Sequence, residues 1–167
     1  GFNSASVWDY AGLTRPIKVA VIDDGVESHE DLPAARILPG YDVAGGAGNN
    51  YNPDNDPSPG GIPAHGMAVV GIIGANHAKT SAEGALSSSG VISMNPQISV
   101  LPVKIFTDDG DAFDVHISDL AYAIDFAWTQ GADILSNSWG WDDPNEPDKP
   151  DLNAALERAT VFGRGGK

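Results

Sequence analysis

The 167-residue chain contains no cysteine. Disulfide bonds, thiol nucleophiles and cysteine-based metal sites are therefore excluded within this sequence. The absence fits a cytosolic protein as well as an extracellular one, so it leaves the compartment open.

Basic residues are also scarce, with nine Lys and Arg against 23 Asp and Glu, for a net charge of -14. Such a charge repels nucleic acid and anionic lipid, and it favours cations or basic partners. Solubility alone would explain it equally well. We expect no nucleic-acid partner.

No run of about 18 apolar residues is present, so we expect no membrane span, and no signal peptide is visible. The first residue is Gly, which is consistent with a processed start. The hydrophobic content of 41% suffices for one sizeable core. We therefore expect one domain over residues 1–167.

The most informative stretch is the apolar run from Ile17 to Ile22, which ends abruptly in Asp23-Asp24-Gly25. Its β-branched residues predict a strand buried on both faces of a sheet. Ligands of parallel α/β sheets bind outside the carboxyl ends of the strands. Two carboxylates are thus predicted where a ligand would bind, although a polar turn closing the strand is the plain alternative.

The remaining patterns alternate between helix and strand, which predicts an α/β fold: a three-layer parallel sheet with helices on both faces. Long Gly-, Asn-, Asp- and Pro-rich or small polar segments are predicted as loops. The predicted elements are a helix from His65 to about Asn76, a strand over Ile98–Phe106, a helix from Ile117 to Trp128 capped near Gly131, a strand over Ala132–Asn137, a helix from Leu152 to about Val161, and loops over Gly40–Pro63 and Lys79–Gly90.

His65 begins one of the predicted helices. The positive end of the helix dipole disfavours imidazolium, so we expect a neutral ring that can act as a general base at pH 7. An isolated histidine is more often a surface or capping residue. An aspartate at a strand end about 40 residues earlier suggests a carboxylate that orients the imidazole.

Three segments together resemble the N-terminal part of a subtilisin-like serine protease catalytic domain: VAVIDDG at Val19–Gly25, HGMAVVG at His65–Gly71 and SNSWG at Ser136–Gly140. Their order covers nearly the whole chain, and the Asp-Asp-Gly and Ser-Trp-Gly variants are most similar to the kexin and furin branch. The resemblance implies a subtilisin-like fold whose C-terminal half is absent from this chain. It also implies a secreted or extracellular location.

The resemblance assigns roles to individual residues. Asp23 would orient His65, and His65 would accept the proton of a serine hydroxyl. Ser138, Trp139 and Gly140 would pair with substrate backbone, and Lys104–Gly110 would form the opposite wall of the cleft.

Acidic residues are expected around this cleft and would favour basic side chains before the scissile bond. Solvated turn carboxylates are an equally good explanation. The residues are Asp24, Asp108, Asp109, Asp111, Asp142 and Asp143.

A structural calcium ion is also implied by the resemblance, with Asp31 as a ligand and Ser81–Val91 supplying the rest. Asn52–Asp56 could form a further site, although Asx-rich turns without metal are more common.

The sequence also departs from the family pattern. Met67 replaces the usual Thr, which affects a local hydrogen bond rather than His65. A Gly-Thr-Ser nucleophile motif and the segment with the oxyanion-hole Asn are absent, and both are expected beyond Lys167. Ser138 is not expected to replace the nucleophile, because its matched position binds substrate through backbone. We therefore expect a separate C-terminal fragment as partner, or a truncated chain.

Two other functional classes remain open. A strand ending in Asp-Asp also occurs in phosphorelay receiver domains that hold magnesium, but His65 and SNSWG have no place there. The second alternative is a catalytically inactive, calcium-stabilised binding module.

Overall fold

A computed structural model describes residues 15–44, 58–59, 65–76, 93–106, 115–140 and 149–166. The strands are β1 (Lys18–Asp23), β2 (Tyr41–Asp42), β3 (Ser99–Lys104) and β4 (Ile134–Asn137). The helices are α1 (His65–Gly74), α2 (Ile117–Thr129) and α3 (Pro150–Phe162), with short 3-10 turns at Ala34–Arg36 and Gly163–Gly165.

The four strands form one parallel sheet in the order β2-β3-β1-β4. Lys104 at the end of β3 is in register with Asp23 of β1 on one side and with Asp42 of β2 on the other. Because in-register neighbours of a parallel sheet point to the same face, three charged side chains lie in one row at its carboxyl edge.

Helices cover both faces of the sheet, which confirms the predicted three-layer fold. Ala20 and Ile22 of β1 pack with buried residues of α2 and α3. Val19 and Val21 face the other way and pack with Val70 of α1. Alternate residues of β1 are thus buried on opposite sides, which is why the strand is apolar without interruption. By the same alternation, Asp23 lies on the α1 face.

Strand β2 was not predicted, because Tyr41–Asp42 lies within the predicted loop Gly40–Pro63. It is only two residues long, and its pairing with β3 decides its conformation rather than its own composition. Helix α3 begins two residues earlier than predicted, with Pro150 in the first turn, where its missing N–H costs nothing.

Gly131 follows α2 with a φ of 78°, the left-handed conformation expected just after a helix. The predictions for residues 1–14, 45–57, 60–64, 77–92, 107–114 and 141–148 lie outside the described residues. In the part of the chain that the structure describes, no helix has the length and apolarity needed to cross a membrane.

Candidate active site

The centre of the site is the contact between Asp23 and His65. Asp23 ends β1 and His65 begins α1, and the Nδ1 atom of His65 lies 2.8 Å from Oδ1 of Asp23. The Asp23 side chain is 2% exposed, whereas the imidazole is 57% exposed. The same Oδ1 accepts a bond of 2.9 Å from the backbone N–H of Asp24. A buried carboxylate therefore orients a ring whose other side is open to solvent.

The pKa of His65 is raised above its usual value of 6.5. The hydrogen bond to Asp23 is the main cause, followed by the charge of Asp23; the charge of Asp24 adds to it, and desolvation opposes it. The shift is therefore opposite in direction to the one that the helix dipole alone would produce. Two carboxylates at the start of α1 outweigh the dipole, since a helix end amounts to only about half a unit charge.

Asp24 joins the end of β1 to the start of α1. Its Oδ2 accepts the backbone N–H of His65 at 2.7 Å, and its Oδ1 accepts that of Gly66 at 2.7 Å. Asp24 is 6% exposed. From the sequence, Asp24 is predicted to lie at the rim of a substrate cleft. The structure instead places it beneath the first turn of α1, where both oxygens are used within the protein.

Two glycines allow this close approach of β1 and α1. Gly25 has a φ of 126°, which side-chain-bearing residues rarely adopt. A Cβ atom on Gly66 would lie 2.5 Å from the carbonyl oxygen of Gly25 and 3.0 Å from Oδ1 of Asp24. The helix and the strand end are thus in backbone contact beside the Asp23–His65 pair.

The other carboxylate oxygen of Asp23, Oδ2, is buried and has no hydrogen-bond donor among the described residues. Buried carboxylate oxygens are normally bonded to protein or ordered water. The described residues therefore satisfy only one side of the Asp23 carboxylate.

Lys104 is buried instead of forming the wall of an open cleft. Its side chain is 2% exposed, and its Nζ lies 3.1 Å from Oδ2 of Asp42, which is equally buried. The other oxygen of Asp42 accepts the backbone N–H of Ala44 at 2.8 Å. Sequence reasoning missed this pair because β2, which provides Asp42, was predicted as a loop.

The segment Ser138–Gly140 leaves β4 beside the end of β1, where Ile22 is in register with Asn137. The indole Nε1 of Trp139 donates to the carbonyl of Ile22 at 3.0 Å, one residue before Asp23. Ser138 and Gly140 are exposed. The structure therefore brings the predicted substrate-binding segment to the same strand end as Asp23. Asp143, also predicted to bind substrate, lies outside the described residues.

Asp31, the predicted calcium ligand, has other partners than the Asp23–His65 pair. Its backbone N–H donates to Nδ1 of His29 at 3.1 Å, and its backbone carbonyl accepts the N–H of Asn76 at 2.7 Å. The adjoining cavity has mainly apolar lining residues, including Leu32 and Val70. Calcium takes six to eight oxygen ligands. Among the described residues no cluster of three metal-ligating side chains occurs, so the fit to calcium is incomplete without Ser81–Val91, which lies outside them.

Residues 14–165 match the model of the subtilase family of peptidases. The chain belongs to the subtilase family.

The relatives of this subtilase include proteases named as extracellular, as intracellular and as calcium-dependent. The minor extracellular protease Epr of Bacillus subtilis is 29% identical over 91% of this chain and 20% of its own length. The intracellular serine protease of Paenibacillus polymyxa is 30% identical over 93% and 41%. The calcium-dependent protease of a Nostoc species is 30% identical over 99% and 23%. The chain thus spans less than half the length of these relatives.

Among solved structures, sphericase matches with a TM-score of 0.64 at 23% identity, over 96% of this chain and 49% of its own. This likeness confirms the subtilisin-like fold. The similarity to the kexin and furin branch stays a prediction.

Proposed function

We propose that this subtilase is a serine endopeptidase in which Asp23 and His65 form two members of the catalytic triad. The observation that carries the proposal is the 2.8 Å contact between Asp23 Oδ1 and His65 Nδ1 at the carboxyl edge of the sheet. Membership in a family of serine proteases supports the same reaction class.

In this mechanism Asp23 fixes the tautomer of His65 by accepting its Nδ1 proton, which leaves Nε2 as the base. Nε2 takes the proton of a serine hydroxyl as the oxygen attacks the peptide carbonyl, and returns it to the leaving amine. The raised pKa of His65 is useful here, because the same carboxylates stabilise the imidazolium that forms during attack.

The nucleophilic serine and the oxyanion-hole asparagine would come from a C-terminal segment of the same protease, either continuous with this chain or bound as a fragment. The absence of the nucleophile motif supports this division. The unsatisfied Oδ2 of Asp23 and the exposed apolar side chains of Ile134 and Phe162 near β4 and the end of α3 are consistent with it.

Substrates would be peptides or proteins, with a preference for basic residues before the scissile bond. The net charge of -14 supports this preference. Asp24 no longer contributes a free carboxylate to it, since both of its oxygens bind α1. The preference therefore depends on Asp143 and the other acidic turn residues. Similar cleavage rates after Arg, Leu and Glu would count against it.

We further propose that Asp31 contributes to a structural calcium site completed by Ser81–Val91, and that the protein is secreted. The name of the calcium-dependent Nostoc relative supports the first part. An extracellular relative supports the second, whereas the intracellular relative opposes it. If Asp31 binds calcium, chelation should lower the melting temperature of the natural protein but leave that of Asp31→Asn nearly unchanged.

The central test compares Asp23→Asn with Asp151→Asn in the natural protein. The amide cannot hold the same tautomer of His65, so kcat should fall by about 10⁴-fold. Asp151 is an exposed residue in the first turn of α3 and provides the matched control, with unchanged kcat. A fluorophosphonate should label a serine outside residues 1–167. Absence of any labelled serine, or normal activity of Asp23→Asn, would refute the proposal.

The receiver-type alternative is disfavoured by the contacts of the two aspartates. Asp23 binds the ring of His65 through Oδ1 and Asp24 binds two backbone N–H groups, so three of the four carboxylate oxygens are used within the protein and the fourth, Oδ2 of Asp23, is buried rather than presented to magnesium. The inactive binding module predicts no fluorophosphonate adduct, so the labelling experiment separates it from the protease.

A further inference from the structure

We propose that Asp24 is a positioning residue for the subtilase reaction: its carboxylate ties the first turn of α1 to the end of β1 and thereby holds the His65 ring on Asp23. The activity readout of this inference rests on the proposed function, whereas its spectroscopic readout does not.

Asp24 contacts α1 from a distant part of the sequence and uses both of its carboxylate oxygens to do so. Asp24 lies 41 residues before His65, and its two oxygens accept the N–H groups of His65 and Gly66 at 2.7 Å each. These are among the N–H groups at a helix start that have no acceptor within the helix. Charge-assisted bonds of this kind are about twice as strong as neutral ones.

The two other helices that the structure describes show no cap from the residue at their start. Neither α2 nor α3 has a side-chain hydrogen bond from the residue that precedes it. Among the described helices, α1 begins with a candidate catalytic residue, and its first turn is held by a buried aspartate from another element.

The contacts of Asp23, Asp24 and His65 form a closed ring of hydrogen bonds. The N–H of Asp24 donates to Asp23 Oδ1, the same oxygen contacts His65 Nδ1, and the N–H of His65 returns to Asp24 Oδ2. The His65 side chain is thus fixed through its ring and its backbone together. A shift of about 1 Å in such a group can cost about 100-fold in rate.

The charged groups around this ring, within the described residues, come from four elements. Asp23 and Asp24 belong to the end of β1, and His65 belongs to α1. Lys104 of β3 and Asp42 of β2 neutralise each other on the same face of the sheet. Removing the charge of Asp24 should therefore lower the pKa of His65, because that charge now raises it.

The test uses Asp24→Asn and Asp24→Ser in the natural protein, with Asp151→Asn as the matched control. Asn keeps one acceptor but turns an amide toward the second N–H group, and Ser is a good cap that reaches only one. We expect kcat to fall about 10- to 100-fold in both variants, with KM changed less than about twofold. The acid limb of kcat/KM should move to lower pH, and the control should match the unmodified protein.

NMR of the His65 Nδ1 proton supplies the second readout. In the unmodified protein we expect a slowly exchanging, downfield proton, and in both Asp24 variants faster exchange and a lower His65 pKa. An inactive unmodified protein that still shows this difference would reject the proposed function and keep the positioning role. Unchanged exchange and an unchanged acid limb in a folded variant would overturn the inference. So would a rise in KM with normal kcat, which would show that Asp24 acts on substrate.

Discussion

Two buried aspartates at the carboxyl edge of the sheet have similar surroundings and different partners. Asp42, at the end of β2, is paired with Lys104, whose side chain is 2% exposed. Asp23, at the end of β1, is paired with His65, whose side chain is 57% exposed. Lys104 is in register with both aspartates. The cation of one pair is therefore buried away from solvent, whereas the imidazole of the other pair is in contact with water.

This difference separates a structural pair from a chemically competent one. A buried ion pair has already paid its desolvation cost, so removal of one partner is strongly destabilising. A half-exposed imidazole stabilises the fold little, because solvent screens its attraction to the carboxylate. The same edge of the sheet thus holds one pair suited to stability and one suited to proton transfer.

The largest effect should follow from Lys104→Met. This change leaves the Asp42 carboxylate buried without its cation and should lower the free energy of unfolding by about 3–5 kcal/mol. Urea denaturation at pH 7 measures the loss. Adding Asp42→Asn should recover a large part of it, since the amide oxygen can still accept the N–H of Ala44. Additive losses in the double variant would show that the two groups do not act as a pair.

A smaller effect is expected from Asp133→Asn at the opposite edge of the sheet. Asp133 accepts bonds from Arg15 and from the backbone N–H of Lys18, and these hold its pKa at about 2, with the Arg15 bond as the main cause. Loss of the charged acceptor should cost about 1–2 kcal/mol at pH 7.

The sign of this effect follows from the lowered pKa of Asp133. The carboxylate stabilises the fold above its ordinary value of 3.8, and this contribution is lost as the pH falls through about 2. The difference between Asp133→Asn and the unmodified protein should therefore shrink between about pH 4 and pH 2. A difference that stays constant down to pH 2 would contradict the assigned pKa.

The smallest effect on stability is expected from His65→Gln, and it should have the opposite pH dependence. A raised pKa means that the His65–Asp23 attraction is fully present below pH 6.5 and is lost as the pH rises through the folded-state value. Melting temperatures of the two proteins should differ slightly at pH 5.5 and converge at alkaline pH. A difference that grows with pH would mean that the neutral ring is favoured.

Local sequence patterns were sufficient for β1, β3, α1 and α2, because long apolar runs and helical spacing reflect burial directly. They also placed Asp23 and His65 at element ends, and the structure brings these two together. The pairing of strands that are far apart in the sequence could not be predicted from these patterns. Two residues of β2 decide where Asp42 lies, and with it the burial of Lys104.

The direction of the Asp24 side chain was equally beyond reach of the sequence. The sequence Asp-Asp is the same whether its side chains face a cleft or a helix. Only the position of α1 shows that Asp24 meets backbone N–H groups while Asp23 meets the ring. The direction of the His65 pKa shift could not be predicted for the same reason, because it depends on how many carboxylates lie near the start of α1.

The contact at Gly66 determines how closely α1 can approach the end of β1. A single methyl group there would press on the Gly25 carbonyl at 2.5 Å and act as a wedge between α1 and β1. The backbones of α1 and β1 are already in contact here, and this contact limits the distance between the Asp23 carboxylate and the His65 imidazole. At this residue even a methyl group, the smallest side chain, is already too large.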